Sequence, residues 1–320
     1  MKIMFHENQL SYRGTSVSLF DYAHYNEKLL GNDSVIVFNR LNTYNSTEAI
    51  KKFKSRFRVL SYTNLNELDE IIKNEAPDVF YAIKSGEKDA ILTERCKCCI
   101  HAVFKVYEPH GDVYAYVSDW LSTEMGVGAN FVPHIINVLE TEECLRQELN
   151  IPSEAKVFGY YGGTDSFDIA FVQEAVKEIA KSDQNIYFLF MGVDDFSIKK
   201  KFWQKRKFYP NIIFLPSNSD LIYKSKFINT CSAMLHGRKR GETFGMAIGE
   251  FAIKGIPIIT YINSPEGAHY QFLSDNAYYY GTKRDLINLI YSDLTKSAKS
   301  NYQKFSPEIV MQRFKEVFLK

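Results

Sequence analysis

The sequence predicts a two-domain α/β protein built on mostly parallel sheets, and three observations point there. Short β-rich runs alternate with helical patterns along the whole chain, the mark of successive βαβ units. The 320 residues exceed what one small core comfortably holds and suggest two domains of about 150 residues each. The alternation also falls into two sets, joined through Val132-Pro-His-Ile-Ile-Asn137.

In chain order, the first strand candidates are Ile3–Phe5, Val35–Phe38, Val59–Tyr62, Val79–Ile83, Ile100–Phe104 and Val113–Val117. Helical patterns lie between them at Ser16–Leu30, Thr47–Phe53 and Leu65–Lys73. The last of these opens with Asn64 and carries Glu67 three residues on, a capping-box-like start. After the join, Glu140–Leu149 reads as a helical run ending at Ile151-Pro152. The second strand set is Val157–Tyr161, Ile186–Met191, Ile212–Leu215, Ala233–His236, Pro257–Tyr261 and Tyr278–Tyr280. Helical patterns intervene at Phe171–Lys181, Leu221–Asn229, Phe244–Lys254 and Asp285–Tyr291. A final helix, Ser306–Leu319, starts with an N-cap Ser, Pro at N1 and an acid in the first turn. No short fixed repeat is present, which excludes a solenoid.

Hydrophobic residues make up 45% and the formal charge is +1, so no strongly basic domain marks a nucleic-acid partner. No apolar run reaches the ~18 residues that a membrane-crossing helix needs. The N-terminus turns polar within six residues and reads as no signal peptide, so a cytoplasmic protein is expected. Five cysteines form no disulfide framework, and Cys96-Lys-Cys98-Cys99 lacks a second Cys or His pair at zinc spacing. No metal or cofactor is expected. Gly126-Val-Gly128 lacks the third Gly of a dinucleotide fingerprint. Two basic-aromatic runs, Lys51–Arg58 and Lys199–Phe208, read as solvated amphipathic faces, with peripheral contact to anionic lipid as the alternative.

The most informative stretch is Arg238-Lys-Arg-Gly-Glu-Thr-Phe-Gly-Met-Ala-Ile-Gly-Glu250, after the apolar run Cys231–His236. It reads as strand, basic Gly-bearing turn and helix N-terminus. With a helix starting near Phe244, the amides of Phe244, Gly245 and Met246 point out of its positive end, a ready anion site. Glu250 is then placed to accept hydrogen bonds from vicinal hydroxyls, and Glu242 to touch whatever lies beyond the phosphates. An anion clamp between two hydroxyl-binding acids suits a sugar nucleotide.

The run Glu242-Thr-Phe-Gly-Met-Ala-Ile-Gly-Glu250 resembles the E-x7-E signature of family-4 retaining glycosyltransferases of the GT-B fold. Gly255-Ile-Pro-Ile-Ile-Thr260 matches the family's Gly-x-Pro-hydrophobic strand, and Val132-Pro-His134 with Leu149-Asn-Ile-Pro152 echo its interdomain stretch. The resemblance implies two Rossmann-like domains facing a cleft. Residues 1–135 would be the acceptor domain, joined by a crossing helix over 303–320, and residues 136–302 the nucleotide-sugar domain. It gives Glu250 the donor ribose, and gives Glu242, Thr243, Phe244, Gly245 and Met246 the donor sugar and diphosphate. Gly162-Gly163 resembles the family's phosphate loop, but Gly163 stands where an Arg is usual and no Lys follows near Asp168. Arg238 and Arg240 are the expected substitutes, because two phosphate charges need cations.

In the first half, Arg13, Gly14 and Thr15 resemble the family's loop after strand one, facing acceptor and phosphate. His101 resembles a histidine lying by the donor and is expected to assist catalysis, while His110 and Asp112 are expected to bind acceptor. The implied reaction moves a hexosyl group from a nucleoside-diphosphate sugar to a glycan or lipid-linked acceptor hydroxyl, as in polysaccharide biosynthesis. Retention of configuration and independence of metal follow from the resemblance, with the leaving phosphate taking the acceptor proton. The alternatives are a GT-B epimerase, or a protein that binds a nucleotide sugar or glycan without turnover.

Overall fold

A computed structural model describes residues 1–128, 130–197 and 209–320. The chain divides into two compact units, Met1–Ile135 with Lys304–Lys320, and Ile136–Gln303.

Unit 1 begins with β1 (Lys2–Glu7), α1 (Gly14–Leu30), β2 (Asp33–Asn39), α2 (Thr47–Arg56) and β3 (Arg58–Tyr62). It continues with α3 (Leu65–Glu75), β4 (Val79–Lys84), β5 (Lys97–Ala102), β6 (Val113–Tyr116) and α4 (Asp119–Glu124). The six strands are parallel, in the order β3-β2-β1-β4-β5-β6. Every residue of β4 is buried, as expected of a parallel strand covered on both faces. Local signals set the helix ends: Asn64 Oδ1 accepts from Glu67 N at 3.0 Å, and Gly31 closes α1 in the left-handed conformation.

Strand β5 starts three residues earlier than the pattern predicts, at Lys97 rather than Ile100. Asp112 causes this, because its Oδ2 accepts from Cys98 N and its own amide donates to Cys98 O, each at 2.7 Å. Cys98 and Cys99 are therefore ordinary buried strand residues. Within the first basic run, Phe53 and Phe57 are buried and Arg56 pairs with Glu27 at 2.6 Å, so its aromatic rings face the core and not a lipid surface. The second run lies outside the described residues.

Unit 2 contains β7 (Lys156–Tyr161), α5 (Ala170–Ser182), β8 (Ile186–Met191), β9 (Ile212–Leu215), α6 (Leu221–Thr230) and β10 (Ala233–His236). Then come β11 (Gly241–Glu242), α7 (Met246–Ile253), β12 (Ile258–Tyr261), β13 (Glu266–Gly267) and α8 (Ala268–Leu273). The unit closes with β14 (Tyr278–Tyr280), α9 (Lys283–Tyr291) and α10 (Lys299–Tyr302). Its main parallel sheet runs β14-β12-β10-β7-β8-β9, and β11 pairs with β13 in a separate two-stranded sheet. The expected helix over 140–149 does not form. Side chains at the end of α6 take its backbone instead: Asn229 Nδ2 donates to Thr141 O at 2.6 Å, and Leu145 N donates to Thr230 Oγ1 at 2.7 Å.

The last helix, α11 (Pro307–Phe314), returns to unit 1 and widens into a π-turn over Lys315–Leu319. Ser306 Oγ caps it, as its sequence predicts, and Phe314 stacks on Tyr22 with ring centroids 5.3 Å apart. Arg313 Nε donates to Phe131 O at 3.1 Å.

Candidate functional site at the switch point of unit 2

The sheet of unit 2 grows from β7 in both directions, through β8 and β9 on one side and β10, β12 and β14 on the other. Ligands of such sheets gather outside the carboxyl ends of the strands at the reversal, here between β7 and β10. Strand β7 ends at Tyr161 and runs into exposed Gly162-Gly163; β10 ends at His236 and runs into Gly237-Arg238. The two loops are fastened to each other. Asp168 N donates to Gly237 O at 3.1 Å, and Asp168 Oδ1 accepts from Lys239 N at 2.7 Å. Asp168, where the resemblance looks for a cation, thus holds the basic turn in place.

Glu242 stands between two cation-capable groups. Its Oε2 accepts from Arg238 Nη1 at 3.0 Å, and its Oε1 lies 3.3 Å from His236 Nε2. Burial works against its charge, but the His236 contact and the Arg238 guanidinium outweigh it and hold the carboxyl at about 2. An ionised carboxylate only accepts, which puts a proton on His236 Nε2, and the ring's Nδ1 lies 2.9 Å from the Thr260 hydroxyl. Thr260 Oγ1 in turn lies 3.3 Å from His269 Nε2. Burial drives His269 down to about 3, so it is neutral and its Nε2–H completes the chain. His269, Thr260 and His236 therefore orient Glu242 from behind.

The turn carrying Glu242 is stiffened by the small second sheet. Gly241 pairs with Glu266 and Glu242 with Gly267, while Arg240 Nε donates to Glu266 Oε1 at 2.6 Å. Gly241 has φ +80°, and a Cβ there would overlap the Glu266 carbonyl oxygen. Both cations expected to meet phosphate thus already hold a carboxylate, Arg238 on Glu242 and Arg240 on Glu266.

Helix α7 starts at Met246, two residues later than expected. The cause is Gly245, whose φ of +93° is a left-handed N-cap that a helix cannot include. The first intrahelical donor is Gly249 N, bonding Gly245 O at 3.0 Å, so the first turn of α7 is Met246–Ile248 and Phe244 lies ahead of it. Phe244 is buried against Phe272, with centroids 5.7 Å apart; Thr243 and Met246 flank it half-buried. Glu250 lies just over one turn into α7 and is 4% exposed. Its two oxygens take Tyr161 Oη and Lys224 Nζ.

Two expectations for unit 1 are corrected. His101 is the next-to-last residue of β5, near its carboxyl end as expected, but it is fully buried. Its Nδ1 meets Tyr81 Oη at 2.6 Å and its Nε2 lies 2.9 Å from Val132 O; burial lowers it to about 4. Both ring nitrogens are thus bonded within the core, whereas the sequence leads one to expect them at a ligand. Asp112, by bonding Cys98, lies at the amino edge of the sheet, opposite the ligand-gathering edge, and does not suit acceptor binding. His110 on the same turn is buried, with Nδ1 on Glu108 O at 2.5 Å. Arg13, Gly14 and Thr15 do stand at the carboxyl end of β1, where α1 begins.

Sequence reasoning missed His236, Thr260, His269, Lys224, Tyr161 and Glu266. His236 and Thr260 had a usable signal, since each is a polar residue at or near the end of an apolar strand run. Lys224 gave none, being one of two lysines in α6.

Neither a family model nor a curated protein matches the chain. Solved structures do match along nearly its full length. HepE from Anabaena in complex with UDP-glucose superposes with a TM-score of 0.72 at 13% identity, covering 99% of this chain and 98% of that one. A glycosyltransferase from Rickettsia africae gives 0.70 at 14% identity, covering 99% and 97%. A putative UDP-N-acetylglucosamine 2-epimerase from Listeria monocytogenes gives 0.65 at 11% identity, covering 98% and 94%. The fold is the two-domain, Rossmann-like GT-B fold.

Proposed function

We propose that the protein is a glycosyltransferase that moves a hexosyl group from a nucleoside-diphosphate sugar to a hydroxyl of a glycan or lipid-linked acceptor. One observation carries the reading: two carboxylates, Glu242 and Glu250, flank the N-terminal turn of α7 beside the switch point of unit 2. The diphosphate docks on the amides of that turn, where the helix dipole favours negative charge. Gly162 and Gly163 let it approach the end of β7, and Arg238 swings from Glu242 to a phosphate oxygen. Arg240 joins it from Glu266. Glu242, ionised near pH 7, accepts from a hydroxyl of the donor sugar, and Glu250 accepts from the ribose in place of Tyr161 or Lys224.

In the reaction the bond from the anomeric carbon to phosphate oxygen breaks, and the nucleoside diphosphate leaves with the electron pair. The acceptor oxygen bonds the same carbon and its proton passes to the departing phosphate. Charge on that phosphate is met by fixed amides and guanidinium groups. Retention of configuration and independence of a divalent metal belong to the proposal through the E-x7-E resemblance. The bound UDP-glucose of the HepE structure supports a nucleotide-sugar donor.

The Listeria neighbour supports a second reading, a GT-B epimerase acting on the sugar nucleotide itself. Incubation with a panel of nucleotide sugars, followed by product analysis, separates the two. A transferase slowly hydrolyses its donor without acceptor and makes a glycoside with one. An epimerase converts the sugar with no acceptor present, and tight binding with no product at all sinks both readings.

A further inference from the structure

We infer that His236 is a proton-holding residue in donor binding: as the diphosphate draws Arg238 away from Glu242, His236 takes up a second proton and becomes the cation beside that carboxylate. The inference rests on the nucleotide-sugar reading of the site and adds a charge-balancing group to it. Glu242 is one carboxylate between two cation-capable partners, with Arg238 Nη1 3.0 Å from Oε2 and His236 Nε2 3.3 Å from Oε1. The two partners differ in freedom. The Arg238 side chain is 30% exposed, whereas that of His236 is 1% exposed. The His236 ring lies against His269 and Tyr160, with centroids 5.2 and 5.9 Å away, and its carbonyl accepts from Tyr280 Oη at 2.8 Å. Arg238 can leave; His236 cannot.

Charge matching then sets where a proton belongs. With Arg238 on Glu242 the carboxylate is already neutralised, and a second cation buried at His236 would stand unmatched. Once Arg238 has turned to a phosphate oxygen, Glu242 is a largely buried carboxylate facing sugar hydroxyls. An imidazolium 3.3 Å away restores the pair. The other titratable groups around the ring do not supply that charge. Burial holds His269 at about 3 and raises the Tyr160 and Tyr280 phenols. Glu266, which gives up Arg240 to the same diphosphate, adds negative charge to the region.

Thr260 lets the ring change state without losing a partner. Its hydroxyl sits 2.9 Å from His236 Nδ1 and 3.3 Å from His269 Nε2, and a hydroxyl both donates and accepts. With His236 neutral, the Thr260 proton points to its Nδ1 and His269 Nε2–H donates to Thr260 Oγ1. With His236 protonated, Nδ1–H donates to Oγ1, the Thr260 proton turns to His269 Nε2, and His269 carries its one proton on Nδ1. That nitrogen is buried and has no hydrogen-bond partner among the described residues, so the exchange breaks no bond there. One proton enters, and every contact in the chain is kept.

The test uses the full chain, as wild type, Thr260→Val and Thr260→Ser, each checked for folding by thermal melting. The probes are UDP-, GDP-, ADP- and dTDP-glucose, diphosphate diesters with no group of their own that titrates near neutral pH. Calorimetry at about pH 7.5 in buffers of different ionisation enthalpy counts the protons taken up per molecule bound, and nitrogen-15 spectra of the histidine rings show which ring takes them. His236→Gln serves to assign the His236 signals. The inference expects wild type to take up about half a proton or more with the probe that binds, and the His236 signals to move to the cation pattern. Thr260→Ser should match wild type, and Thr260→Val, which accepts nothing from Nδ1–H, should take up about half as much or less. The inference is overturned, with the donor reading intact, if a probe binds without proton uptake or if His236 stays neutral while a proton is taken up elsewhere. Uptake by Thr260→Val equal to that of wild type overturns it too. If none of the four probes binds, the donor reading itself fails and the inference falls with it.

Discussion

Lys224 closes a buried ion pair with Glu250, joining α6 to the helix that carries the second acid of the E-x7-E run. Tyr161 at the end of β7 takes the other oxygen of the same carboxylate. One side chain thus locks a strand end and two helices around the switch point. A paired, buried carboxylate is held in one orientation.

Removing one partner should therefore cost more than removing both. Lys224→Met leaves Glu250 buried without its cation and should destabilise unit 2 by about 3–5 kcal/mol. Adding Glu250→Gln should restore part of that loss. Urea denaturation of the single and double variants measures it, and equal stability of wild type and Lys224→Met would contradict the assignment.

Glu242 gives a pH prediction of definite sign. Its folded value of about 2 lies below the ordinary 4.5, so its contribution is present above 4.5 and is lost as pH falls through 2. A gap of that size corresponds to something on the order of 3 kcal/mol. Glu242→Gln should flatten the acid limb of the stability profile between about pH 5 and pH 2. It should also cut donor turnover by about 100-fold or more, while folding near pH 7 persists.

His101 behaves in the same sense, in a higher pH window. Burial lowers it from 6.5 to about 4, so the neutral form belongs to the fold and its contribution is lost as pH drops from 6.5 through 4. His101→Ala leaves Tyr81 Oη and Val132 O without their partner and should cost about 2–3 kcal/mol. Turnover per folded molecule should stay near wild type. A melting curve beside a rate assay decides between this and a catalytic role.

Gly245 should resist substitution for a backbone reason. Space is not the obstacle, since an added Cβ would stand 3.4 Å from its nearest neighbours; the φ of +93° is. Gly245→Ala should cost about 1–2 kcal/mol or shift the start of α7. If it shifts the helix start, nucleoside-diphosphate affinity should fall along with stability, and calorimetry on the folded variant reads it.

How much of this was legible beforehand follows from what kind of interaction each feature uses. Strands β7, β8, β9, β10, β12 and β14 were readable because parallel strands covered on both faces are short apolar runs, whereas the two-residue β11 and β13 carry no such signal. Caps such as Asn64, Ser306 and the left-handed Gly31 are local effects. The E-x7-E acids were found because the resemblance marked their spacing. What was not readable depends on partners far away in sequence. Asp112 set the start of β5, Asn229 and Thr230 took the backbone that would have made a helix over 140–149, and Tyr81 took His101 Nδ1. The Thr260–His236–Glu242 chain needs Thr260 from β12, so the stretch that holds His236 and Glu242 does not announce it alone.

The most direct test of the central claim is calorimetric titration of the wild-type protein with UDP, GDP, dTDP and ADP, repeated on Arg238→Gln/Arg240→Gln. A diphosphate seated on the first turn of α7 predicts that one of the four binds wild type and that the double variant binds it about tenfold or more weakly. Failure of all four to bind, or undiminished affinity in the double variant, would contradict it.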